Sequence, residues 1–269
     1  MDLGPMIPTR EGSVPGALFR GLVDDAGLFP PTALPMAEAL RRHRADLAGG
    51  SPVLTHRFLC PASRLPELRA HLDSPVRLGL ILDTPDVPPL DGLTVELVEV
   101  PGGRAVALDV PTRQFVEVTA AQLPVDPPPG VGLKIRCGGP TAAAFPTAGE
   151  LGSFITYCAE HAIPFKATAG LHNAVRHFYP PLGTDRHGFL NLVLAVCAAV
   201  AGRDPVPVLK TTDVGELVRL ARAVPDGVAE RARGLLVSYG SCSTSTPIED
   251  LRALGLITGT TAGVVEENA

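Results

Sequence analysis

IPFKATAG, residues 163–170, is a short apolar run with a single lysine, Lys166, near its middle. It sits between AGELGSFITYCAEHA (148–162), with apolar residues at helical spacing, and HGFLNLVLAVCAAVAG (187–202), apolar almost all round. A short apolar run bounded by turn residues reads as a buried strand, and a helix apolar on every side reads as a buried helix. Upstream, VGLKIRC (131–137) has the same strand character. Residues 131–202 therefore read strand, helix, strand, helix. Such crossovers are right-handed and imply a parallel sheet.

Six more strand-like segments extend the pattern: ALFRGLVDD (17–25), VLTHRFLC (53–60), VRLGLILD (76–83), TVELVEV (94–100), QFVEV (114–118) and LLVSYG (235–240). Helical spacing recurs in MAEALRRHRADL (36–47), SRLPELRAHL (63–72), VGELVRLARAV (214–224) and PIEDLRALGL (247–256). Eight strands alternating with helices over 269 residues predict one α/β domain, a (β/α)₈ barrel spanning 1–269. An open doubly wound sheet is the alternative. Proline-rich links such as DTPDVPPLDG (83–92) and LPVDPPPG (123–130) leave no room for full helices, so irregularity is expected around 84–130. There is no glycine-rich dinucleotide fingerprint, no Walker-type loop and no repeat.

Apolar residues form 45% of the chain and charged ones 19%, which fits a large core and excludes wholesale disorder. A formal charge of -5 argues against a general nucleic-acid binder and leaves room for a local basic pocket. No uninterrupted apolar run reaches the roughly 18 residues of a membrane span, and MDLGPMIPTREG lacks the order of a signal peptide. A cytoplasmic protein without membrane contact is expected, and a homo-oligomer is left open. The five cysteines are odd in number and widely spaced, which argues against a disulfide framework or zinc knot.

Strand alternation assigns the polar residues. In LKIRC, Leu133 and Ile135 share one face while Lys134 and Arg136 share the other; in FKAT, Lys166 and Thr168 oppose Phe165. With the apolar faces toward the helices, Lys134, Arg136, Lys166 and Thr168 turn inward near the C-terminal strand ends, where barrel enzymes keep their active sites. Three cations there require carboxylates or an anionic ligand. The structural reading pairs the lysines with Asp24, Asp83, Glu96 or Glu117.

Other candidates follow the same strand ends. LVDDAGLFPP places Asp24 and Asp25 before a rigid turn, either as functional carboxylates or as turn caps. GLHNAVRHFYPPLGTDRHG brings His172, His177 and His187, residue types suited to proton transfer or metal ligation. Asn191 lies just inside the buried helix. SYGSCSTSTPIEDL offers Ser241, Cys242 and Ser243 beside a helix N-terminus, where an anion could bind or a thiol be activated. Ordinary capping by Ser245 or Thr246, and an inert buried Cys242, are the rival accounts.

As a set, DDAGLFPP (24–31), LKIRCGG (133–139), FKATAGLH (165–172) and HGFLN (187–191) resemble an uncharacterised bacterial family of barrel-like chains of this length. In that family the position of Asp25 is often aromatic and that of Asn173 often a second histidine. FKATAG and LKIR alone resemble class I aldolases of the deoxyribose-phosphate type, a likeness that implies Schiff-base chemistry at a strand-borne lysine.

The reading expected from these residues is a lyase or aldolase acting on a small anionic carbonyl compound. Lys166 is the Schiff-base nucleophile and Lys134 lowers its pKa. Asp24 or His172 moves protons, and Arg136, Thr168, His187, Asn191, Ser241, Cys242 and Ser243 bind substrate. No cofactor is required. The alternative is a non-covalent isomerase, decarboxylase or hydrolase in which the lysines act by charge and His or Asp residues transfer protons, with or without a divalent metal. A non-catalytic binding protein is the third class.

Overall fold

A computed structural model describes residues 14–102, 105–107, 112–120, 123 and 130–258. The N-terminal stretch 1–13 and most of the LPVDPPPG link lie outside them. Eight parallel strands close into a barrel: β1 (Val23–Asp25), β2 (Leu54–Pro61), β3 (Arg77–Ile81), β4 (Thr94–Val100), β5 (Arg113–Val118), β6 (Val131–Arg136), β7 (Phe165–Thr168) and β10 (Leu236–Ser241). The order around the barrel is β1-β10-β7-β6-β5-β4-β3-β2. Each expected strand is present, and β6 and β7 are neighbours with Lys134 level with Lys166 and Arg136 level with Thr168.

Helices α1 (Met36–Gly49), α2 (Leu65–His71), α3 (Ala148–Glu160), α4 (Phe189–Val200), α6 (Val214–Arg222) and α8 (Ser245–Ala253) follow the sequence periodicity. Helix α4, buried along Phe189–Ala198, packs against α3, α5 (Val206–Lys210), α6 and α7 (Asp226–Leu235). Helices α5 and α7 were not evident from sequence. The first is a single short turn containing Pro207, and the second carries Gly227 and Gly234, which weaken a helical signature. A two-stranded antiparallel hairpin, β8 (His177–Tyr179) and β9 (Thr184–Arg186), interrupts the connection from β7 to α4. Among the described residues no helix joins β3 to β4, β4 to β5 or β5 to β6, which is the expected irregularity.

The outer strand faces make the apolar core. Leu133, Ile135, Phe165, Ala167 and Tyr239 pack under α3 and α4; Phe58, Leu78, Val98 and Val116 form a second cluster under α1 and α2. The inner face is polar at mid-height, and its apolar fill is set by Gly79 and Gly132. A Cβ on Gly132 would lie 2.5 Å from the Phe115 ring, and one on Gly79 would lie 2.5 Å from Leu59. Among the described residues no helix is long and apolar enough to cross a membrane.

Candidate functional site

The inward faces of β6 and β7 carry the residues that alternation assigns to them. Lys166 is 1% exposed and Lys134 4%. Lys166 Nζ donates to Asp24 Oδ2 in a close ion pair, to Ser238 Oγ at 2.7 Å, and lies 3.4 Å from Glu99 Oε1. Ser238 in turn donates to Asp24 Oδ2 at 2.7 Å. Of the three N–H donors of an ammonium, two are given to Asp24 and Ser238, and Glu99 stands at ion-pair distance. The Phe115 ring lies 6.0 Å from the same nitrogen.

Lys134 Nζ is 2.7 Å from Glu99 Oε2 and 3.1 Å from Glu117 Oε2. Glu99 thus bridges the two lysines. On the far side of Asp24, its Oδ1 accepts from Arg57 Nη1 and Thr55 Oγ1, each at 2.7 Å. Arg57 continues to Glu96 at 3.1 Å, and Glu96 is paired with Arg77. At the other end Arg136 Nη1 lies 3.9 Å from Glu117 Oε2. The result is a chain of alternating charge through the barrel: Arg77, Glu96, Arg57, Asp24, Lys166, Glu99, Lys134, Glu117, Arg136. Arg77 opens the strand β3 and Arg136 ends β6, so the chain runs from the N-terminal face to the C-terminal mouth. Both terminal arginines are about half exposed, at 49% and 51% of their side chains.

The charges set one another's protonation. Burial would raise the Asp24 and Glu99 pKa values, but the lysines and Arg57 outweigh it and hold both carboxyls below the ordinary range. Burial would lower Lys134, and Glu99 and Glu117 reverse that effect, so its pKa is raised. The crowding of cations read from the sequence is therefore offset by a carboxylate at each step.

Asp25 faces away from the barrel interior. It accepts from the Gly27 N–H at 3.0 Å, as a turn cap, and from Arg42, with His43 Nδ1 3.2 Å away. Arg42 Nη1 also donates to the Cys242 carbonyl at 2.8 Å, so α1 anchors the loop after β10. Within that loop Cys242 Sγ lies 3.7 Å from His172 Nδ1. Burial opposes ionisation of the thiol, but hydrogen bonds from His172 and Thr32 prevail and bring its pKa down to about 7. In Cys60, Cys137 and Cys197 burial pushes the thiols up to about 12.

The remaining candidates have local partners. His187 Nε2 is 2.7 Å from the Pro146 carbonyl and Nδ1 3.2 Å from Arg176. Asn191 accepts from the Arg176 N–H and donates to the Val208 and Thr211 carbonyls. Both stitch the β7–α4 connection to neighbouring backbone. Ser241 donates to the Ser243 carbonyl at 2.6 Å, and Ser243 Oγ accepts the Thr246 N–H at 3.3 Å in the first turn of α8. Capping falls to Ser243 in place of Ser245 or Thr246. Thr168 ends β7 level with Arg136 and Gly240. His172, His177 and His187 do not converge, and among the described residues no group of three or more His, Cys, Asp or Glu could hold a metal ion. Asp83 pairs with Ser63 outside the barrel.

Sequence reasoning missed Glu99, Arg57, Thr55 and Ser238. Glu96 and Glu99 stand three apart in one strand, so strict alternation turns only one of them inward. A register shift between Leu78 and Gly79, opposite Val95 and Leu97, makes Glu96 the extra residue and brings both carboxylates to the ion chain.

Fold and site together define a (β/α)₈ barrel with a buried ion chain ending at its C-terminal mouth. Compared with family models, curated proteins and solved structures, the sequence matches none. The comparisons give no support to the likeness to class I aldolases or to the bacterial family.

Proposed function

We propose that this protein is an enzyme whose barrel mouth takes a small anionic carbonyl compound, with Lys166 and Lys134 acting through charge and forming no covalent bond. Lys166 carries this reading: its amine donates to Asp24 and Ser238 with Glu99 3.4 Å away, so carboxylates and a hydroxyl surround the nitrogen where a substrate carbonyl would have to approach. The lysines then serve as fixed positive charge beneath the mouth, suited to stabilising an enolate or other developing oxyanion. Arg136 anchors the substrate's anionic group, since its guanidinium is half exposed and only loosely paired with Glu117. His172, half-buried at the same rim, moves protons. Isomerase, decarboxylase and hydrolase chemistry all fit this arrangement.

The Schiff-base reading has one favourable observation, the Asp24 carboxylate in contact with Lys166, which could take the amine's proton. The two readings separate in one experiment. The protein is mixed with a panel of small keto acids and aldehydes, treated with borohydride and weighed intact, while binding is followed by thermal shift. The expected result is binding of anionic members, weakened about tenfold in Arg136→Gln, with no adduct on Lys166. A reduced adduct on Lys166 would restore the Schiff-base lyase, and equal binding of neutral and anionic compounds would remove the anion anchor.

A further inference from the structure

The thiol after the last barrel strand stands apart from the ion chain. Ser238 and Gly240 alternate on the inner face of β10, and Cys242 lies two residues beyond Gly240, just past the strand end. It is 7% exposed, with Nδ1 of the half-buried His172 3.7 Å from its sulfur. Thr32, from the turn after β1, also favours the ionised form of this thiol. The backbone is fixed from a third side, because Arg42 on α1 holds the Cys242 carbonyl and is itself held by Asp25. Gly27 is what lets Arg42 through: a Cβ there would lie 2.2 Å from its guanidinium. Three separate segments thus converge to position one sulfur and one imidazole.

We infer that Cys242 and His172 form a nucleophilic thiol–imidazole pair that performs acyl transfer on a small ester or thioester at the barrel mouth. The thiol proton passes to His172 Nδ1, and the thiolate attacks the acyl carbon. The C–S bond forms as the bond to the leaving group breaks, and the leaving group departs with the proton from His172. Water then gives a proton to His172 and its hydroxyl to the acyl carbon. The C–S electron pair returns to sulfur, the thiol is reprotonated, and a carboxylic acid is released. No oxidant or second substrate beyond water is needed. The inference narrows the proposed function to a hydrolase and rests on that reading only for the substrate, since the pair itself is tested chemically on the resting protein.

The titratable and charged groups around the sulfur are His172, Tyr239 on its own strand, and the Arg42–Asp25 pair at its carbonyl. Its ionisation falls to about 7, while burial pushes Cys60, Cys137 and Cys197 up to about 12 and Cys158 higher still. Iodoacetamide labelling followed by peptide mass should therefore be selective for Cys242 at neutral pH, with a pH midpoint near 7. His172→Gln should move the midpoint up by about one unit and slow labelling at neutral pH about fivefold, as the thiolate fraction falls. A purely structural His172 would leave the midpoint in place. Should the reagent fail to enter, the ultraviolet absorbance of the thiolate, taken as wild type minus Cys242→Ser, gives the same midpoint. A midpoint at or above the free-thiol value of about 8.5, or one indifferent to His172→Gln, overturns the pair. With 4-nitrophenyl acetate as acyl probe, a burst approaching one equivalent that vanishes in Cys242→Ser supports acyl transfer. A midpoint near 7 without a burst overturns the acyl class and leaves the non-covalent reading of the lysines untouched.

Discussion

Lys166 lies between Asp24, Ser238 and Glu99, and the consequence of removing it follows from the acceptors it would leave behind. Lys166→Met strands two buried carboxylates that each retain another cation, Arg57 for Asp24 and Lys134 for Glu99. Breaking a buried pair by deleting one partner costs about 3–5 kcal/mol. Urea unfolding should show a loss of that order, and Lys166→Met combined with Asp24→Asn should lose less than the sum of the two single changes. A loss below about 1 kcal/mol would mean the pair is not buried as described. Lys166→Arg separates charge from chemistry: it keeps the cation but cannot form an imine, so turnover that survives it favours the electrostatic role. Gly132 gives a second residue-level test. Gly132→Ala would press a methyl group against Phe115 and the Pro164 carbonyl, overpacking that should cost about 1–3 kcal/mol in the same assay.

Among the elements, α1 has the least obvious task. Its Arg42 ties the loop after β10 to the turn after β1 through Asp25, so the DDAG motif serves both faces of one strand. Asp24 enters the ion chain and Asp25 holds the helix. Asp25→Ala should cost about 2 kcal/mol, the worth of a charge-assisted hydrogen bond, and should speed amide exchange in residues 241–246 more than elsewhere. Unchanged exchange in that loop would show that Arg42 does not hold it. Helix α3 starts with a capping box, in which Thr147 and Glu150 accept each other's backbone N–H groups, and Thr147→Ala should cost about 1 kcal/mol. Strand β4 shows where alternation stops being a reliable guide. TVELVEV gives no sign of a bulge, because the extra residue is forced by pairing with β3 and not by any feature local to β4.

Across the whole molecule the ion chain sets the pH range of stability. Asp24 and Glu99 have folded pKa values below their unfolded ones, so their contribution is present above about pH 4 and is lost as pH falls through the folded values. Lys134 has a raised folded pKa, so its contribution is present below about pH 10 and is lost as pH rises through the folded value. His187 adds an earlier acid step. Burial lowers its pKa, so below about 6.5 the unfolded chain takes up a proton that the folded protein refuses, and stability declines. Urea midpoints across pH should show a plateau with losses at both ends, and His187→Gln should flatten the first acid decline without moving the later one. A decline that keeps its full slope in that variant would assign it elsewhere, with His56, whose pKa burial also lowers, the next candidate.

The barrel itself was written in the local pattern. Eight apolar runs with turn residues between them, and helices between most of them, need no distant information to be read, because burial on one face dictates period two or period 3.6. The inward direction of Lys134, Lys166 and Thr168 followed from the same alternation. What the sequence could not supply was the identity of their partners. Asp24 and Lys166 are 142 positions apart, Asp24 and Ser238 are 214 apart, and Cys242 meets His172 across 70. Barrel closure brings β1 beside β10, and the bulge in β4 turns Glu96 as well as Glu99 to the ion chain. An isolated inward lysine reads as a poised amine, whereas the folded chain sets the same lysine among carboxylates. Only tertiary structure supplies those partners, because a buried charge is surrounded by the groups packed around it and not by its neighbours in the chain.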